Sequence, residues 1–427
     1  MAGLRIALMN HGTRGDIQPL TALGRELTER GNSVVAAVPS GYADLVRAAG
    51  IEALALPADW RAFLTDPAAD RSWLHSGDRA ELLAGLRGVM AAHGEEIART
   101  LLAASADADL LVSGALTEDV ATVVAEARGI PLALMHLFPV RRNGVWANPF
   151  VTSSSSTDPA ANIATHLAFE QAGWAASRPG VNRLRAALGL PETDLPTFAR
   201  AESLGAVEIQ AYSPNVVPGL DWTAARPLVG WLQPDVETRR LLGEQGLDDD
   251  TERWLAEGPP PGFFGFGSMP VADPAATLEM IQRTAEQLDV RAVVAAGWAG
   301  LPGADVRDPD RIHLVPEADF SALFPRCAFV VHHGGAGTTG QAAQAGVPAL
   351  VASVMLDQAM WGSAIERLGA GVHRPLRELD ADALTGGVKH LLHPDVAETA
   401  AALGRLVRRE PDPVGRTADI LEAHARS

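Results

Sequence analysis

The stretch that decides the fold is the opening one: Leu4-Arg5-Ile6-Ala7-Leu8-Met9, then Asn10-His11-Gly12-Thr13-Arg14-Gly15-Asp16, then Pro19, Leu20, Leu23, Leu27 and Gly31, and finally Val34 to Val38. The first run is apolar almost throughout, as in a strand buried on both faces of a parallel sheet. A polar, glycine-containing loop follows. Pro19 suits the first turn of a helix, where its missing N–H costs nothing. The three leucines give that helix one apolar face, Gly31 ends it, and Val34 to Val38 is the next strand. The whole reads as a β-α-β unit.

Working outward, the alternation continues through Leu110-Leu111-Val112, the helical stretch Thr117 to Ala127, and Pro131 to Leu134. A second series starts at Phe263-Phe264-Gly265-Phe266 and runs through Arg291 to Ala296, Ile312 to Val315, Ala328 to Val331 and Pro348 to Val351. Strands alternating with helices, twice over, predict an α/β chain of two Rossmann-like, doubly wound domains. Ligands in such sheets sit beyond the carboxyl ends of the strands, so the two binding edges are expected to face each other across a cleft. Val229 to Pro234 and the acidic Asp248-Asp249-Asp250 frame a linker. The expected organisation is an N-terminal domain over 1–225, a linker over 226–250, a second domain over 251–405, and a C-terminal helix over 406–427 returning to the first domain. Thr152 to Thr157 is a serine-rich loop, read as flexible. Asp248-Asp249-Asp250, just before Trp254-Leu255, reads as a solvated helix start rather than a metal site.

Composition narrows the function. The chain has 427 residues, enough for two or three domains, with 47% apolar and 20% charged residues, an ordinary globular balance. Acidic residues outnumber basic ones 52 to 35, a net charge of −17, which argues against a nucleic-acid or anionic-membrane partner. Cys327 is the single cysteine, so there is neither a disulfide framework nor a cysteine-rich zinc site. Lys389 is the single lysine and follows no glycine-rich loop, so a lysine-bearing phosphate loop is excluded. A bound phosphate ester must be held by backbone amides, hydroxyls, histidine or arginine. The longest apolar stretches, such as Ile130 to Leu137, fall far short of a membrane span. No leader pattern precedes Leu4, and a cytoplasmic protein, monomeric or homodimeric, is expected.

The strongest chemical signal is His332-His333-Gly334-Gly335-Ala336-Gly337-Thr338-Thr339, directly after a strand and opening a helix. Glycines allow close approach of an anion, the helix N-terminus offers free N–H groups, and the threonines add hydroxyls. Two other readings stand beside this one. Gly335-x-Gly337-x-x-Gly340 with Asp357 also satisfies a dinucleotide fingerprint, and the glycines alone make a tight turn. Asp357-Gln358 pairs a carboxylate with an amide, suited to neighbouring sugar hydroxyls; the plainer reading is helix capping by Asp357. Asp16, after the first strand, is placed to take a proton from a hydroxyl or to cap a helix. His11 either contacts a ligand or satisfies its own loop. Trp60, Trp73, Phe138 and Trp146 line an acceptor pocket in the first domain or pack in its core.

Taken together these segments resemble a known family. His332 to Thr339, with Gly346-Val347-Pro348 and Asp357-Gln358, resembles the donor-binding box of nucleotide-sugar-dependent glycosyltransferases of the GT-B fold, family 1 type. His11 to Pro19 resembles the N-terminal motif of sterol glucosyltransferases and bacterial antibiotic glycosyltransferases. Gly265 to Pro270, Gly297-Trp298 and Trp361-Gly362 are similar to the sterol branch. The resemblance spans most of the chain, in the family's order.

The resemblance implies roles for individual residues. His333 contacts the donor diphosphate, with Gly335, Gly337 and Thr338 supplying further donors and Ser268 facing them. Asp357 and Gln358 hold sugar hydroxyls, Val315 meets the base through its backbone, and Gly15 and Trp298 complete the donor set. Asp16 stands where many plant relatives carry a catalytic histidine. An aspartate base becomes neutral and needs no second carboxylate, so Ser113-Gly114 at the place of the usual acid is consistent with it. Three departures stand out: Leu314 replaces the base-stacking tryptophan, Glu317 replaces a histidine of the sterol branch, and Ser353-Val354 replaces the usual Pro-Gln. Base and sugar are therefore open. The expectation is a metal-independent, inverting glycosyltransferase with Asp16 and His11 as catalytic residues and no resident cofactor. It would use a UDP- or TDP-sugar and a hydrophobic acceptor of polyketide, macrolide or sterol type. A nucleotide-sugar epimerase or hydrolase of the same fold and an NAD-dependent oxidoreductase are the alternatives.

Overall fold

Ile6, Ala7, Leu8 and Met9 are each at most 1% exposed, because the strand that carries them, β1 (Arg5–Met9), is covered on both faces. Ile6 and Leu8 enter one apolar cluster and Ala7 and Met9 the other, as the period of two demands. The computed structural model describes residues 3–57, 63, 73, 81, 82, 84, 85, 88, 92–152, 154–244, 246–267, 273–297, 306–316 and 318–427. The chain divides into two units, one of residues 1–214, 219–243 and 411–427, the other of residues 215–218 and 244–410.

In the first unit β1, β2 (Ser33–Pro39), β3 (Glu52–Leu56), β4 (Leu110–Gly114), β5 (Leu132–His136) and β6 (Val207–Gln210) form a parallel sheet in the order β3-β2-β1-β4-β5-β6. Helix α1 (Arg14–Glu29) buries Ile17, Leu20, Leu23 and Leu27 on one face. Helices α2 (Gly94–Ala104) and α3 (Glu118–Arg128) cover the other. Two helices follow: α4 (Pro159–Ala187), tied to α3 by Arg185 and Glu126, and α5 (Thr197–Ser203), tied to it by Thr197 and Asp119.

Three local expectations change. Pro19 lies inside α1, not in its first turn, because a Thr13/Asp16 capping box starts the helix at Arg14. Asp16 is accordingly a first-turn residue of a helix rather than a loop residue. The serine-rich loop is pinned: Ser155 Oγ accepts the Ala147 N–H at 2.9 Å and Ser156 N–H donates to Asn162 Oδ1 at 2.8 Å. Its hydroxyls and amides do the work that a sheet or helix ladder does elsewhere.

The second unit repeats the topology. Strands β7 (Gly262–Gly265), β8 (Ala292–Ala295), β9 (Ile312–Val315), β10 (Phe329–His332), β11 (Ala349–Ser353) and β12 (Gly371–Pro375) run parallel in the order β12-β11-β10-β7-β8-β9. Phe264 and Phe329 meet edge to face at 5.7 Å on one side of this sheet. Buried without exposure, each such ring contributes about 2–3 kcal/mol relative to an exposed one. Helices α6 (Asp249–Ala256), α7 (Pro274–Leu288), α8 (Ala336–Ala345), α9 (Gln358–Arg367), α10 (Ala381–Leu391) and α11 (Pro394–Val407) complete the unit. Asp248 caps α6 through the Thr251 N–H at 2.7 Å, so the acidic triplet is a helix start.

The stretch 226–243 is built into the first unit. Val229 and Leu232 lie in its core, a short helix spans Val236–Leu241, and the passage to the second unit falls between Gly243 and Glu244. The last helix, α12 (Pro413–Ala425), also belongs to the first unit: Ala418 and Leu421 join the α1 cluster, and Asn32 Nδ2 donates to Glu422 Oε1 at 2.7 Å.

Candidate active site

Each sheet reverses its strand order at one point, between β1 and β4 in the first unit and between β7 and β10 in the second. The loops leaving such neighbours diverge to opposite faces and open a crevice. The candidate residues occupy both crevices.

In the first unit, the Asn10–Asp16 segment leaves β1 and Gly114–Thr117 leaves β4. Asn10 is the brace: its Oδ1 accepts the His11 N–H at 3.0 Å and its Nδ2 donates to the Asp16 carbonyl at 2.9 Å. Gly114 gives this side chain its room, since a Cβ there would lie 2.1 Å from Asn10 Oδ1. Asp16 is half-buried, and its Oδ2 accepts the Thr13 N–H at 2.8 Å. Gly12, at φ +141°, leaves room for that carboxylate: a Cβ would sit 2.2 Å from Asp16 Oδ2. His11 is wholly buried, and its Nε2 faces the Pro57 carbonyl at 3.1 Å. A carbonyl only accepts, so this nitrogen carries the proton and His11 braces the loop. Ser113 turns its hydroxyl to Thr117 at 2.8 Å, and Gly15 is exposed on α1.

Behind this crevice lies a buried ion cluster that sequence reading missed. Arg141 reaches both Glu118 and Glu208, and Glu208 also takes Arg226. Burial alone would raise the Glu118 carboxyl, but Arg141 and the neighbouring His136 ring, 3.5 Å from Oε2, hold it at about 2. Glu118 follows β4, His136 ends β5 with Arg141 just after it, and Glu208 lies on β6, so the sheet order unites them.

The predicted acceptor residues separate. Trp146 is 2% exposed, with its carbonyl accepting from His166 Nε2 at 2.9 Å; it is a core residue. Phe138 is half-buried and packs at 5.7 Å on Phe150, which stacks on Phe169 at 4.9 Å. Trp73 lies against Phe63 at 6.0 Å, and Trp60 is outside the described residues. A groove of about 980 Å³ opens along α4 and α5, with Leu167, Trp174 and Phe198 among its walls. Trp73, Phe138 and Trp146 are not among its described walls, and it lies on the α3 side of the sheet, opposite α1.

In the second unit, β10 delivers His332 and His333 and β7 delivers Gly267. A Cβ at Gly267 (φ +61°) would lie 2.7 Å from His333 Cε1, and one at Gly335 would lie 2.7 Å from His333 Nε2. Two glycines thus make room for one imidazole. His333 Nδ1 is buried with no hydrogen-bond partner among the described residues, and burial lowers this ring to about 4. His332 accepts the Gly334 N–H on Nδ1 at 3.0 Å, so its proton sits on Nε2; burial lowers it to about 3. Both rings are neutral at pH 7.

Helix α8 starts beside them without a side-chain cap. Its first helical bond is Thr339 N–H to the Gly335 carbonyl at 2.9 Å, leaving the N–H groups of Ala336, Gly337 and Thr338 outside the ladder. A Cβ on Gly337 would meet nothing within 4 Å among the described residues. Open space over free amides at a helix N-terminus is a seat for an anion. Gly337→Ala is therefore expected to raise stability by about 0.5–1 kcal/mol through helix propensity. It should also weaken nucleoside diphosphate binding by about tenfold or more. A thermal scan and calorimetry on one preparation check both signs.

Asp357 and Gln358 meet this seat from the next strand, β11. A Cβ on Gly334 (φ +91°) would lie 3.0 Å from the Gln358 carbonyl oxygen. Gln358 Oε1 accepts the Val354 and Met355 N–H groups at 2.8 and 3.0 Å, so only its NH2 is left for a ligand. Asp357 stands at the N-cap of α9 but makes no side-chain cap; its Oδ2 accepts the Trp361 indole N–H at 2.8 Å. Leu356, at φ +54°, holds the loop in a left-handed turn that a branched side chain rarely adopts. Burial raises the Asp357 carboxyl to about 6, against the Trp361 bond. A carboxyl raised in this way lends stability while protonated and withdraws it as pH rises through about 6. Asp357→Asn is expected to raise Tm at pH 7 and to lower kcat/KM for a sugar donor, which an activity assay and a thermal scan will show. The wild type should lose donor affinity as pH falls through about 6, and the variant should not.

Val315 lies at the far edge of this sheet on β9, its carbonyl accepting the Ala296 N–H at 2.9 Å. Ser268 and Trp298 are outside the described residues. Their neighbours Gly267 and Gly297 pack backbone to backbone, a Cβ on Gly297 (φ +54°) falling 2.5 Å from the Gly267 carbonyl.

Known proteins match this chain in sequence and in fold. Residues 6–146 match the glycosyltransferase family 28 N-terminal domain, and residues 282–422 match the C-terminal domain of the erythromycin biosynthesis protein CIII-like family. An uncharacterized glycosyltransferase of Mycobacterium tuberculosis is 34% identical over 99% of both chains. An O-mycaminosyltylonolide 6-deoxyallosyltransferase of Streptomyces fradiae is 32% identical over 95% of this chain and 94% of its own. A sterol 3-beta-glucosyltransferase of Arabidopsis thaliana is 30% identical over 99% of this chain and 68% of its own. Among solved structures, the calicheamicin glycosyltransferase CalG4 superposes with a TM-score of 0.70 at 18% identity, covering 99% of this chain and 98% of its own. The glycosyltransferase VinC, solved in complex with dTDP, superposes with a TM-score of 0.64 at 20% identity, covering 99% and 100%.

Proposed function

Because this chain belongs to the glycosyltransferases of the GT-B fold, we propose that it moves a sugar from a UDP- or TDP-linked donor to a hydroxyl of a hydrophobic natural-product or sterol-like acceptor, with inversion at the anomeric carbon. The observation that carries this reading is the anion seat on α8: among the described residues, three amide N–H groups outside the helix ladder, a His333 Nδ1 without a partner and open space over Gly337. The donor diphosphate would lie there, with the sugar hydroxyls on Asp357 and the Gln358 NH2. Family membership sets the oxidoreductase reading of the glycines aside.

In this reaction the acceptor oxygen forms a bond to the anomeric carbon as the bond from that carbon to the diphosphate oxygen breaks. The acceptor proton passes to Asp16, which becomes neutral. The negative charge of the leaving group falls on the α8 amides and His333, whose positions are set before the reaction starts. Asp16 takes both its orientation and its partial shielding from Thr13 and Gly12. His11, the other residue expected to be catalytic, would act by holding this loop through its Nε2 contact with the Pro57 carbonyl.

Titration calorimetry against UDP, TDP and NAD, followed by a mass-spectrometric screen of sterol and macrolide aglycones with both classes of nucleotide sugar, tests the proposal. Diphosphate binding and a glycosylated product are expected. Donor consumption with no acceptor requirement would replace transfer by hydrolysis or epimerisation, and binding of NAD alone would overturn the reading.

A further inference from the structure

Under the Asp357 loop lies a hydrogen-bonded pair with no part in the chemistry above. Ser353, the last residue of β11, is 7% exposed, and its Oγ lies 2.8 Å from His373 Nε2 on β12. The strand register sets His373 opposite Val351, so the ring leans forward along the sheet to reach the strand end. Its other side rests on α9: a Cβ on Gly362 would fall 2.4 Å from His373 Cδ2. Gly362 directly follows Trp361, the residue that holds the Asp357 carboxylate. One imidazole therefore touches Ser353, directly before the short segment Val354–Asp357, and α9 at Gly362, five residues after it.

That segment has little freedom of its own. Its first two amides close on Gln358 Oε1, and Leu356 sits at positive φ. A short loop clamped this way moves as a body when either end shifts. The anion seat, by contrast, is built on β10, β7 and α8, and neither Ser353 nor His373 belongs to it.

We infer that the Ser353–His373 pair positions the Val354–Asp357 loop for the donor sugar, so that it governs how the sugar is held and leaves diphosphate binding alone. The inference rests on the donor reading proposed above. Ser353 and His373 are positioning residues: they act through Asp357 and Gln358. Ser353 stands at a place where the resemblance expects proline, which has no hydroxyl for such a partner.

The test compares two affinities on the full chain, one for TDP or UDP and one for the best-bound nucleotide sugar from a panel carrying the same base. Ser353→Ala and His373→Phe are expected to leave the diphosphate affinity within about twofold and to weaken the nucleotide sugar about tenfold, the worth of one buried hydrogen bond left unmade. Ser353→Thr, which keeps the hydroxyl, should restore the nucleotide sugar to within about twofold of wild type. A merely structural role would lower both affinities together or neither, and either result overturns the inference, as does failure of the Ser353→Thr rescue. If the wild type binds no diphosphate, the donor reading itself falls and the inference with it; that outcome is visible before any variant is made.

Discussion

Asp16→Asn is expected to lower kcat by about 10²–10⁴, the usual worth of a general base, while Tm changes little. The two halves of this result separate two roles of one carboxylate. Asparagine keeps an oxygen for the Thr13 N–H, now accepted by Asp16 Oδ2 at 2.8 Å, so the start of α1 survives. It occupies the same volume under Gly12, where there is no room for a larger group. It cannot take a proton from an acceptor hydroxyl. Asp16→Ala removes both functions and should add a stability loss of about 0.5–2 kcal/mol to the same fall in kcat. Steady-state rates with an accepted aglycone and thermal scans of both variants decide the matter. If Asp16→Asn retains more than about a third of wild-type kcat, the carboxylate serves as a helix cap and the base lies elsewhere.

His333→Ala should weaken nucleoside diphosphate binding and lower kcat/KM by about 10²–10³, as for other single donors to a developing anion. Because burial holds this ring neutral down to about pH 4, what is lost is a hydrogen bond and not a cation. The dependence of diphosphate affinity on salt should therefore be the same in the variant as in the wild type, which calorimetry at two ionic strengths measures. Gly267→Ala should reproduce much of the loss while leaving the imidazole in the chain. Its new methyl group would stand 2.7 Å from His333 Cε1 at a backbone φ of +61°, and the imidazole has to move. An unaltered diphosphate affinity in both variants would remove His333 from the donor site.

Particular residues show how far the amino-acid order could be read. Asp16, His333, Asp357 and Gln358 were visible because each lies beside a glycine or a helix start at a characteristic distance from a strand. Asn10 was not picked out, although it braces both His11 and Asp16. Its position directly after an apolar strand was the available signal. Trp146 and Phe138 are the same kind of signal in sequence, an aromatic in a loop, yet one is core and the other half-buried beside Phe150. Pro19 misled because proline is tolerated in a first turn, while the capping box that begins α1 starts at Thr13, six residues earlier, with Arg14 as the first helical residue.

By itself the sequence determined the class of fold, two wound α/β units, because burial on both faces of a parallel strand writes a continuous apolar run and a crossover helix writes a 3.6-residue period. It also determined the chemistry of the anion seat, since free amides, glycines and a histidine are local properties of one strand-to-helix turn. Tertiary structure alone decided which distant residues meet: His333 with Gly267 across the reversal at β7 and β10, Glu118 with Arg141 and His136 beneath the first crevice, and Ser353 with His373 under the Val354–Asp357 loop. Those pairs depend on strand order and register, which are set by the packing of the whole sheet and leave no mark in the residues that they bring together.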